Sequence, residues 1–262
     1  MPYFSKKNML HCTAMTRHTY FISDLHLCES HPEITAALLD FVEKKAKQAD
    51  ALYILGDLFE AWVGDDHDTP LNRTISQALA TLADFNTAVY IMHGNRDFLI
   101  GQRFVNAAKA QLIPDPSLIS IYGKNLLLAH GDALCTDDSN HQRFRRLTQR
   151  AWLRRCFLML PLSWRHALAQ RIRQQSAQRS YSQQDLSRYD VTEDGVRAAV
   201  EEYPCDCLIH GHTHRPKLHH HTLVSGTLQR HVLGAWEQTA EILRLTEDGT
   251  LQFETLTVVH PS

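Results

Sequence analysis

Seven side chains of the kinds that ligate metals follow short apolar runs at five places in the chain. The runs end in Asp24-Leu-His26, Gly56-Asp57, Gly94-Asn95, His130 and Gly211-His212-Thr-His214. Carboxylate, imidazole and amide donors together suit Mn²⁺, with Mg²⁺, Fe and Zn²⁺ as competitors. Seven donors are too many for one ion but suit two, and a carboxylate such as Asp57 can bridge ions about 3.5–4 Å apart. Such a pair holds the attacking and leaving oxygens in phosphoryl transfer, so the pattern predicts that chemistry.

Each of these runs is typical of a β-strand that ends abruptly in polar residues. Between the first three runs, apolar residues at helical spacing predict helices over Glu33–Ala49 and Leu71–Phe85. The order strand, helix, strand predicts parallel βαβ units, in which ligands bind at the carboxyl ends of the strands. The predicted strands are Tyr20–Asp24, Leu52–Asp57, Val89–Asn95, Leu126–Asp132 and Cys207–His212.

In an extended strand, residues i and i+2 point the same way, so Asp24 with His26, and His212 with His214, are predicted to aim at one point. A single Asp-x-His or Gly-Asp is a weak signal, because Gly-Asp is common in turns. All five motifs in order, each after a strand, are hard to explain by structure alone. After Arg215 the sequence predicts exposed residues at 219–221 and a β-rich end. Its strands are predicted at Thr222–Val224, Val232–Ala235, Ala240–Leu245 and Leu251–Val259.

The composition is that of an ordinary globular protein. The 262 residues are 44% hydrophobic and 21% charged, which excludes collagen-like and mostly disordered chains. The 27 basic and 29 acidic side chains exclude a globally basic nucleic-acid binder. Six cysteines without a regular framework predict a reduced, cytoplasmic protein with no disulfides. Residues 1–16 lack the apolar segment of a signal peptide and are predicted to be a disordered leader, with one domain over 17–262.

One segment differs from the rest of the chain in charge. Residues 143–179 contain ten arginines, no lysine and no acidic residue, which leaves 17 basic against 29 acidic side chains elsewhere. Apolar residues recur at helical spacing within it, and Pro161 is predicted to separate two helices. We interpret residues 140–185 as an inserted helical cap.

The ordered motifs resemble the calcineurin-like metallophosphoesterase family, over most of the chain from Tyr20 onward. Longer blocks are similar to the branch of this family that hydrolyses UDP-2,3-diacylglucosamine in Gram-negative lipid A biosynthesis. Among them are Ile-Leu-Gly-Asp-Leu-Phe-Glu-Ala-Trp62, His-Gly-Asn-Arg-Asp-Phe-Leu99 and Ile-His-Gly-His-Thr-His-Arg-Pro216. The resemblance implies an α/β fold, a four-layer αββα sandwich with a helical cap. It also implies water attack at the uridine-side phosphorus, giving UMP and 2,3-diacylglucosamine 1-phosphate (lipid X).

The resemblance further implies two Mn²⁺ ions per chain and a set of site residues. One ion would take Asp24, His26 and His214, with Asp57 bridging, and the other Asn95, His130 and His212. The implied catalytic residues are Asp57, Asn95, Arg96 and His130, and the implied substrate contacts are Asn95, Arg96, Asp138, Ser176 and His212. Where the family continues with Asn and Lys after the cap serine, this chain has Ser180 and Gln183 or Gln184. The distal part of the substrate site therefore departs from the family pattern.

Arg96 stands where many metallophosphoesterases have a histidine that protonates an alkoxide leaving group. Arginine keeps its proton at neutral pH, so it stabilises charge but cannot act as a general acid. A sugar 1-phosphate leaves as an anion without being protonated, so Arg96 favours pyrophosphate substrates. The alternative is that Arg96 only pairs with Asp97 or another carboxylate.

The arginine-rich segment also carries the apolar residues Trp152, Phe157, Leu158, Met159, Leu160, Leu162 and Trp164. Its apolar faces would take acyl chains, and its arginines would attract anionic headgroups at about 1 kcal/mol each. This predicts a peripheral protein on the cytoplasmic face of the inner membrane, because the longest apolar run here, Cys156–Leu162, is too short to span a bilayer. The alternative is that these residues pack on the main domain while the arginines form a solvated face.

Three other functions remain open. A hydrolase of soluble dinucleoside polyphosphates or nucleotide sugars would share the metal site, but the apolar cap argues against it. A nuclease is disfavoured because an alkoxide leaving group would need the missing histidine, and we infer no nucleic-acid partner and no obligate protein partner. A binding scaffold without catalysis predicts gaps in the ligand set, and all seven positions are filled.

Overall fold

The computed structural model describes residues 16–177, 190–223 and 226–259. Within these ranges the chain forms eleven strands and seven α-helices. The strands are β1 (His18–Ile22), β2 (Ala51–Leu55), β3 (Ala88–Met92), β4 (Gln111–Ile113), β5 (Ser117–Ile121), β6 (Lys124–Ala129), β7 (Cys207–His210), β8 (Lys217–Leu223), β9 (Gly226–Val232), β10 (Thr239–Thr246) and β11 (Leu251–Thr257). The helices are α1 (Pro32–Lys44), α2 (Pro70–Thr81), α3 (Gln102–Ala107), α4 (Ser139–Thr148), α5 (Ala151–Leu158), α6 (Leu162–Ala177) and α7 (Glu193–Glu202).

The described strands lie in two mixed sheets. The first has the order β11-β10-β1-β2-β3-β4, and the second has the order β5-β6-β7-β9-β8. Strands β1 to β4 are parallel to one another, as are β6, β7 and β9. The predicted βαβ units are therefore confirmed, with α1 between β1 and β2 and α2 between β2 and β3. β1 and β2 are buried along their whole length, as expected for central parallel strands covered on both faces.

Local signals explain where the first two helices begin and end. α1 has Pro32 at its first turn, where a missing N–H costs nothing, and it buries residues at three-to-four spacing from Ile34 to Val42. α2 begins after Thr69, whose side chain accepts a hydrogen bond from the Asn72 N–H at 3.1 Å. Both helices are shorter than predicted. They end at Lys44 and Thr81, and 3₁₀ turns continue the chain to Gln48 and Phe85.

The two sheets pack face to face with helices outside them. Phe21, Tyr53 and Met92 of the first sheet share a buried cluster with Leu128 and Ile209 of the second. The outer face of the first sheet packs on α1, α2 and α3 in a second cluster. α7 covers the second sheet, where its Val196 and Val200 pack beside residues of β6 and β7. This arrangement confirms the predicted αββα sandwich.

The carboxyl-terminal half departs from the sequence predictions in two places. The strand predicted at Val232–Ala235 is wrong, because β9 spans Gly226–Val232 and ends where the other begins. The histidines at 219–221 lie within β8, which pairs antiparallel with β9. His219 and His221 are only partly exposed, so they do not form the solvent-exposed run that was predicted. His221 Nε2 accepts a hydrogen bond from Arg230 Nε at 3.0 Å, which compensates the imidazole for its burial.

The predicted cap segment, residues 140–185, is helical in its described part, but that part holds three helices where two were expected. Besides the break at Pro161, the helix breaks at Gln149 and Arg150, where Arg150 takes up an extended conformation before α5. Residues 178–185 of the predicted cap lie outside the described residues. Of the helices that the structure describes, none is long and apolar enough to cross a membrane.

The packing between the sheets generates a prediction about stability. Phe21 is fully buried and stacks on Tyr53 with ring centroids 5.2 Å apart. Phe21→Ala should lower the free energy of unfolding by about 3–5 kcal/mol, because it removes apolar contacts and leaves a cavity between the sheets. Denaturant unfolding measures this change. Leu118→Ala is the control, since Leu118 is 45% exposed, and an equal loss in both variants would contradict the assignment of this core.

Candidate metal centre

The predicted ligand residues meet at the carboxyl ends of strands from both sheets. Asp24, Asp57 and Asn95 follow β1, β2 and β3, which are neighbours in the first sheet. His130 and His212 follow β6 and β7, which are neighbours in the second. Because both sheets end at the same edge of the sandwich, side chains from five loops reach one place.

The loops place these side chains in a way that the sequence did not predict. Asp24, His26, Asp57, His212 and His214 all have positive φ, between 50° and 70°. This left-handed conformation is strained for residues with a side chain, and such strain clusters at functional sites. The expectation that extended i and i+2 residues aim the donors is therefore wrong, although the donors do converge. The chain turns sharply after each strand, and backbone bonds between loops hold the turns, such as Asp24 N–H to Gly56 O at 3.1 Å.

One cluster of donors contains Asp24, His26 and His214. The Nε2 atoms of His26 and His214 are 3.2 Å apart, and His214 Nε2 lies 3.4 Å from Asp24 Oδ1. Asp57 Oδ2 lies 4.0 Å from His26 Nε2. Carboxylate oxygens and ring nitrogens thus face one another across a gap that a single ion would fill.

A second cluster lies on the other side of Asp57. Asn95 Oδ1 is 2.9 Å from His130 Nε2 and 3.0 Å from His212 Nδ1. Asp57 Oδ2 is 3.7 Å from His130 Nε2, so the same oxygen faces both clusters. The structure therefore brings all seven predicted ligands together and groups them as the resemblance implied.

Hydrogen bonds leave one oxygen of each buried carboxylate directed at the clusters. Asp24 Oδ2 accepts from Ser23 Oγ at 2.6 Å and from the His212 N–H at 2.8 Å. Asp57 Oδ1 accepts from the Arg96 N–H at 2.9 Å. The chain needs glycine beside both acids, because a Cβ at Gly211 would overlap Asp24 Oδ2 and one at Gly94 would overlap Asp57 Oδ1.

The protein groups create a field at the centre that favours positive charge. Burial opposes a charged His130, but Asp57 and Asp24 outweigh it and raise the pKa of His130 to about 10. Burial also opposes ionisation of Asp24, yet the adjacent His214 ring and the charge of His130 hold its pKa well below the usual range. Burial raises the pKa of Asp57 to about 6 and lowers that of His212 to about 3. A divalent cation would supply the positive charge that these carboxylates attract.

A test of fit for a metal comes from an unsatisfied buried atom. Among the described residues, Asp24 Oδ1 is buried and receives no well-formed hydrogen bond. A buried carboxylate oxygen without a donor is costly, and metal coordination is a usual way to satisfy it. The donor set of carboxylate, imidazole and amide oxygen also suits a divalent transition ion. The residues present therefore fit the metal centre that the sequence predicted.

Arg96 lies beside the centre and is paired with a residue that sequence reasoning missed. Its Nη1 donates to Glu60 Oε1 at 2.6 Å, and its Nε is 3.8 Å from Asp57 Oδ2. Of the alternative stated above, the pairing with Asp97 is wrong, because Asp97 accepts from the N–H groups of Gly94 and Leu58, whereas the pairing with another carboxylate is confirmed at Glu60. Glu60 Oε2 also lies 3.2 Å from His26 Nδ1. Glu60 thus lies beside the predicted ligand His26, in the place that acidic partners of metal-binding histidines commonly occupy.

The second cluster has its own acidic support, also missed from the sequence. Arg145 of α4 pairs with Asp115 at 2.7 Å and with Asp132 at 3.0 Å. Asp115 accepts from the His130 N–H at 3.1 Å, and His141 Nε2 is 3.3 Å from Asp132 Oδ2. Asp132 follows His130 in His-Gly-Asp, so its position in the motif was the one available signal.

Two further predicted substrate contacts, Asp138 and Ser176, belong to the helices α4 and α6. Asp138 is the N-cap of α4, where its side chain accepts from the His141 N–H at 2.9 Å. Ser176 belongs to α6, but its side chain lies outside the described residues, as do Ser180 and Gln183. The leader predicted at 1–16 is likewise outside them up to residue 15.

Comparison with known proteins decides the family. The calcineurin-like phosphoesterase model matches residues 18–216, which include every predicted ligand. The chain belongs to the calcineurin-like phosphoesterase family.

Three curated relatives in this family carry the name UDP-2,3-diacylglucosamine hydrolase. The protein of Coxiella burnetii strain RSA 493 is 48% identical over 238 residues, covering 91% of this chain and 97% of the relative. The protein of Aeromonas salmonicida strain A449 is 46% identical and covers 93% and 96%. The protein of Escherichia coli O81 strain ED1a is 44% identical and covers 88% and 95%. The resemblance stated from the motifs is confirmed, both for the phosphoesterase family and for the branch that bears this name.

The shared oxygen of Asp57 generates a prediction about metal content. Asp57→Asn should lower turnover at least about 100-fold and reduce the bound divalent metal, because the amide keeps the shape but loses the charge facing both clusters. Elemental analysis of the purified protein together with activity measures both effects. Asp84→Asn, at an exposed ion pair with Lys109, is the matched control. Full activity in Asp57→Asn would contradict the two-cluster arrangement.

Proposed function

We propose that this protein hydrolyses the pyrophosphate bond of UDP-2,3-diacylglucosamine to UMP and 2,3-diacylglucosamine 1-phosphate, in lipid A biosynthesis. The observation that carries the proposal is identity of 44–48% over about nine-tenths of the chain to hydrolases named for this substrate. The convergence of the predicted ligands in a buried acidic centre supports it. Water attack at the uridine-side phosphorus is part of the proposal.

We assign two metal ions to the centre, with Mn²⁺ as the preferred metal. Asp24, His26 and His214 would hold one and Asn95, His130 and His212 the other, while Asp57 would contact both. When bound, divalent ions would activate water and offset the negative charge of the phosphates. The protein contributes rigid ligands, and the hydrogen bonds to Asp24 and Asp57 described above hold these two carboxylates in place.

Arg96 would stabilise the phosphate that leaves with the sugar. Its guanidinium stays protonated and cannot give a proton to an alkoxide. A sugar 1-phosphate is a weak base that needs no proton, so the Arg96 charge suits it. Asn95 and His212, which lie 3.0 Å apart through Oδ1 and Nδ1, would contact the phosphate at the centre. Asp138 and Ser176 are proposed to contact the substrate.

The cap distinguishes a lipid substrate from soluble nucleotides. Trp152, Met159 and Trp164 are 58%, 83% and 67% exposed, which is more apolar surface than a soluble substrate requires. Phe157, by contrast, packs on the main core, so the alternative of simple packing holds for that residue. We propose that residues 140–185 form a cap that holds the acyl chains and rests on the cytoplasmic face of the inner membrane.

The arginines of this segment that the structure describes divide into two groups. Arg145, Arg154, Arg165 and Arg173 bond to the main body, for example Arg165 to the carboxylate of Asp66 and the carbonyl of Val63. Their guanidinium groups are therefore directed at the main body and not at headgroups, contrary to the expectation for the whole segment. The exposed members left to attract an anionic surface are Arg143, Arg146, Arg150, Arg155 and Arg171.

The position of attack can be measured directly. The purified protein is incubated with UDP-2,3-diacylglucosamine and Mn²⁺ in dilute detergent and ¹⁸O-labelled water. The masses of the products are then measured by mass spectrometry. We expect the label in UMP, because water joins the uridine-side phosphorus. The metal-free protein in a chelator is the control. Label in the sugar phosphate would reverse the point of attack, and no turnover would contradict the proposed substrate.

Membrane association makes a separate prediction. The unaltered protein should sediment with vesicles of phosphatidylglycerol and phosphatidylethanolamine, and the double variant Trp152→Ala, Trp164→Ala should bind several-fold more weakly, because it removes exposed aromatic surface. Phe85→Ala is the matched control, since Phe85 is 51% exposed but lies outside the cap segment. Equal sedimentation of the double variant and the unaltered protein would exclude these tryptophans as the membrane contact.

A further inference from the structure

A cavity of about 310 Å³ opens beside the second cluster of ligands, between the first sheet and α4. Asn95 and His141 line it, and Asn95 belongs to the second cluster, where the phosphates would be. Ile113 and Pro114 form one wall, and Thr148 of α4 forms part of the other. The volume is at the lower end of the range of about 300–1,000 Å³ that small-molecule sites occupy. The cavity therefore has room for one ring system and a sugar next to the reacting phosphate.

The lining of this cavity is unsuited to acyl chains. It contains Asp115, Asp132 and Arg145, which form a buried network of ion pairs. Placing alkyl chains against such groups would strip water from charges without replacing its hydrogen bonds. The exposed apolar residues Trp164, Leu168 and Ile172 instead lie on α6. α6 reaches the centre at Glu60, on the His26 side, which is the side away from the cavity.

The same lining suits a flat, polar heterocycle. Phe98 and Phe144 meet edge to face at its wall, with ring centroids 6.3 Å apart, and offer an aromatic surface for a base. The Thr148 hydroxyl donates to the Phe144 carbonyl at 3.1 Å, which leaves its oxygen able to accept from an N–H or a ribose hydroxyl. Arg154 donates one N–H to the Phe98 carbonyl at 3.3 Å and has others for a base carbonyl.

We propose that this cavity is the nucleoside subsite, which holds the pyrimidine and ribose of the substrate while the acylated sugar lies along α6. The assignment rests on the proposed function, because it divides that substrate between two sides of one centre. The uridine-side phosphate stays with the nucleoside after cleavage, so UMP would be held between the centre and this cavity. The lipid product would leave by the other side.

The test fills the cavity without touching the ligands. Thr148→Phe places a ring in the cavity and should lower the affinity for UMP about tenfold or more, because a bulky side chain closes a small-molecule pocket. Calorimetry of the Mn²⁺-loaded protein measures UMP and 2,3-diacylglucosamine 1-phosphate separately, the latter in detergent. We expect the affinity for the lipid product to stay within about twofold, since the two products occupy different sides.

Two further variants serve as a control and as an independent test of the same cavity. Leu147→Phe adds the same ring at the preceding residue, which is 49% exposed, and should change neither the affinity for UMP nor that for the lipid product. Arg154→Met keeps most of the side-chain length but removes the N–H donors. It should lower the affinity for UMP without filling the cavity. Equal UMP binding in Thr148→Phe, Arg154→Met and the unaltered protein would overturn the proposal, as would failure of the unaltered protein to bind UMP. If Thr148→Phe loses affinity for the lipid product alone, the cavity belongs to the lipid.

The same proteins separate this proposal from the proposed function. If the unaltered protein fails to hydrolyse UDP-2,3-diacylglucosamine, the proposed function fails whatever the UMP affinities are. If it hydrolyses that substrate and Thr148→Phe raises KM with little change in kcat, the nucleoside subsite is supported. Hydrolysis with an unchanged KM in Thr148→Phe contradicts the subsite and leaves the function intact.

Discussion

Two carboxylates that are almost wholly excluded from water, Asp24 and Asp57, are the constraint that the rest of the centre depends on. They are 0% and 1% exposed, and burying an ionised group costs several kcal/mol unless partners compensate it. Backbone N–H groups and the Ser23 hydroxyl satisfy one oxygen of each. The other oxygens face histidines and, in our proposal, metal ions. The positive φ angles and the close glycines follow from this need, because only sharply turned loops bring donors so near.

The centre also depends on how the two sheets pack. Asn95 comes from the first sheet, and His130 and His212 come from the second, yet their polar atoms lie within 3.0 Å. A shift of about 1 Å between the sheets would separate such donors, and catalytic geometry tolerates little misplacement. The layer that contains Phe21 and Tyr53 therefore sets distances in the site as well as stability. That core must also offset the strain of five left-handed residues.

The sequence predicted the parts of this structure that follow from short-range pattern. Parallel strands with polar carboxyl ends, the seven candidate ligand residues at those ends and the helical segment after His130 were all predictable, because each depends on residue type and periodicity. Backbone conformation at Asp24 and His212 was not, since the left-handed turns are imposed by bonds between loops distant in sequence. Glu60 escaped notice for the same reason. Nothing local marks it as the partner of His26 and Arg96.

The uneven charge of the chain has a structural meaning that composition alone could not assign. The arginine-rich segment lies against an acidic body, and Arg145 and Arg165 neutralise Asp132 and Asp66. These contacts hold the arginine-rich segment against the main body. Arg165 and Asp132 are themselves largely buried, so each would be a costly unpaired charge without its partner.

At Glu60 positive side chains outnumber the negative one, and this excess of positive charge affects which leaving group the centre favours. One carboxylate there faces two guanidinium groups, those of Arg96 and Arg173. The pair of arginines keeps one net positive charge after Glu60 is counted, beside the centre and next to Asn95. Such a charge attracts an anion and cannot supply a proton. The positive charge stabilises a leaving group that departs as a phosphate anion. An alkoxide leaving group would need a proton donor, which these arginines cannot be.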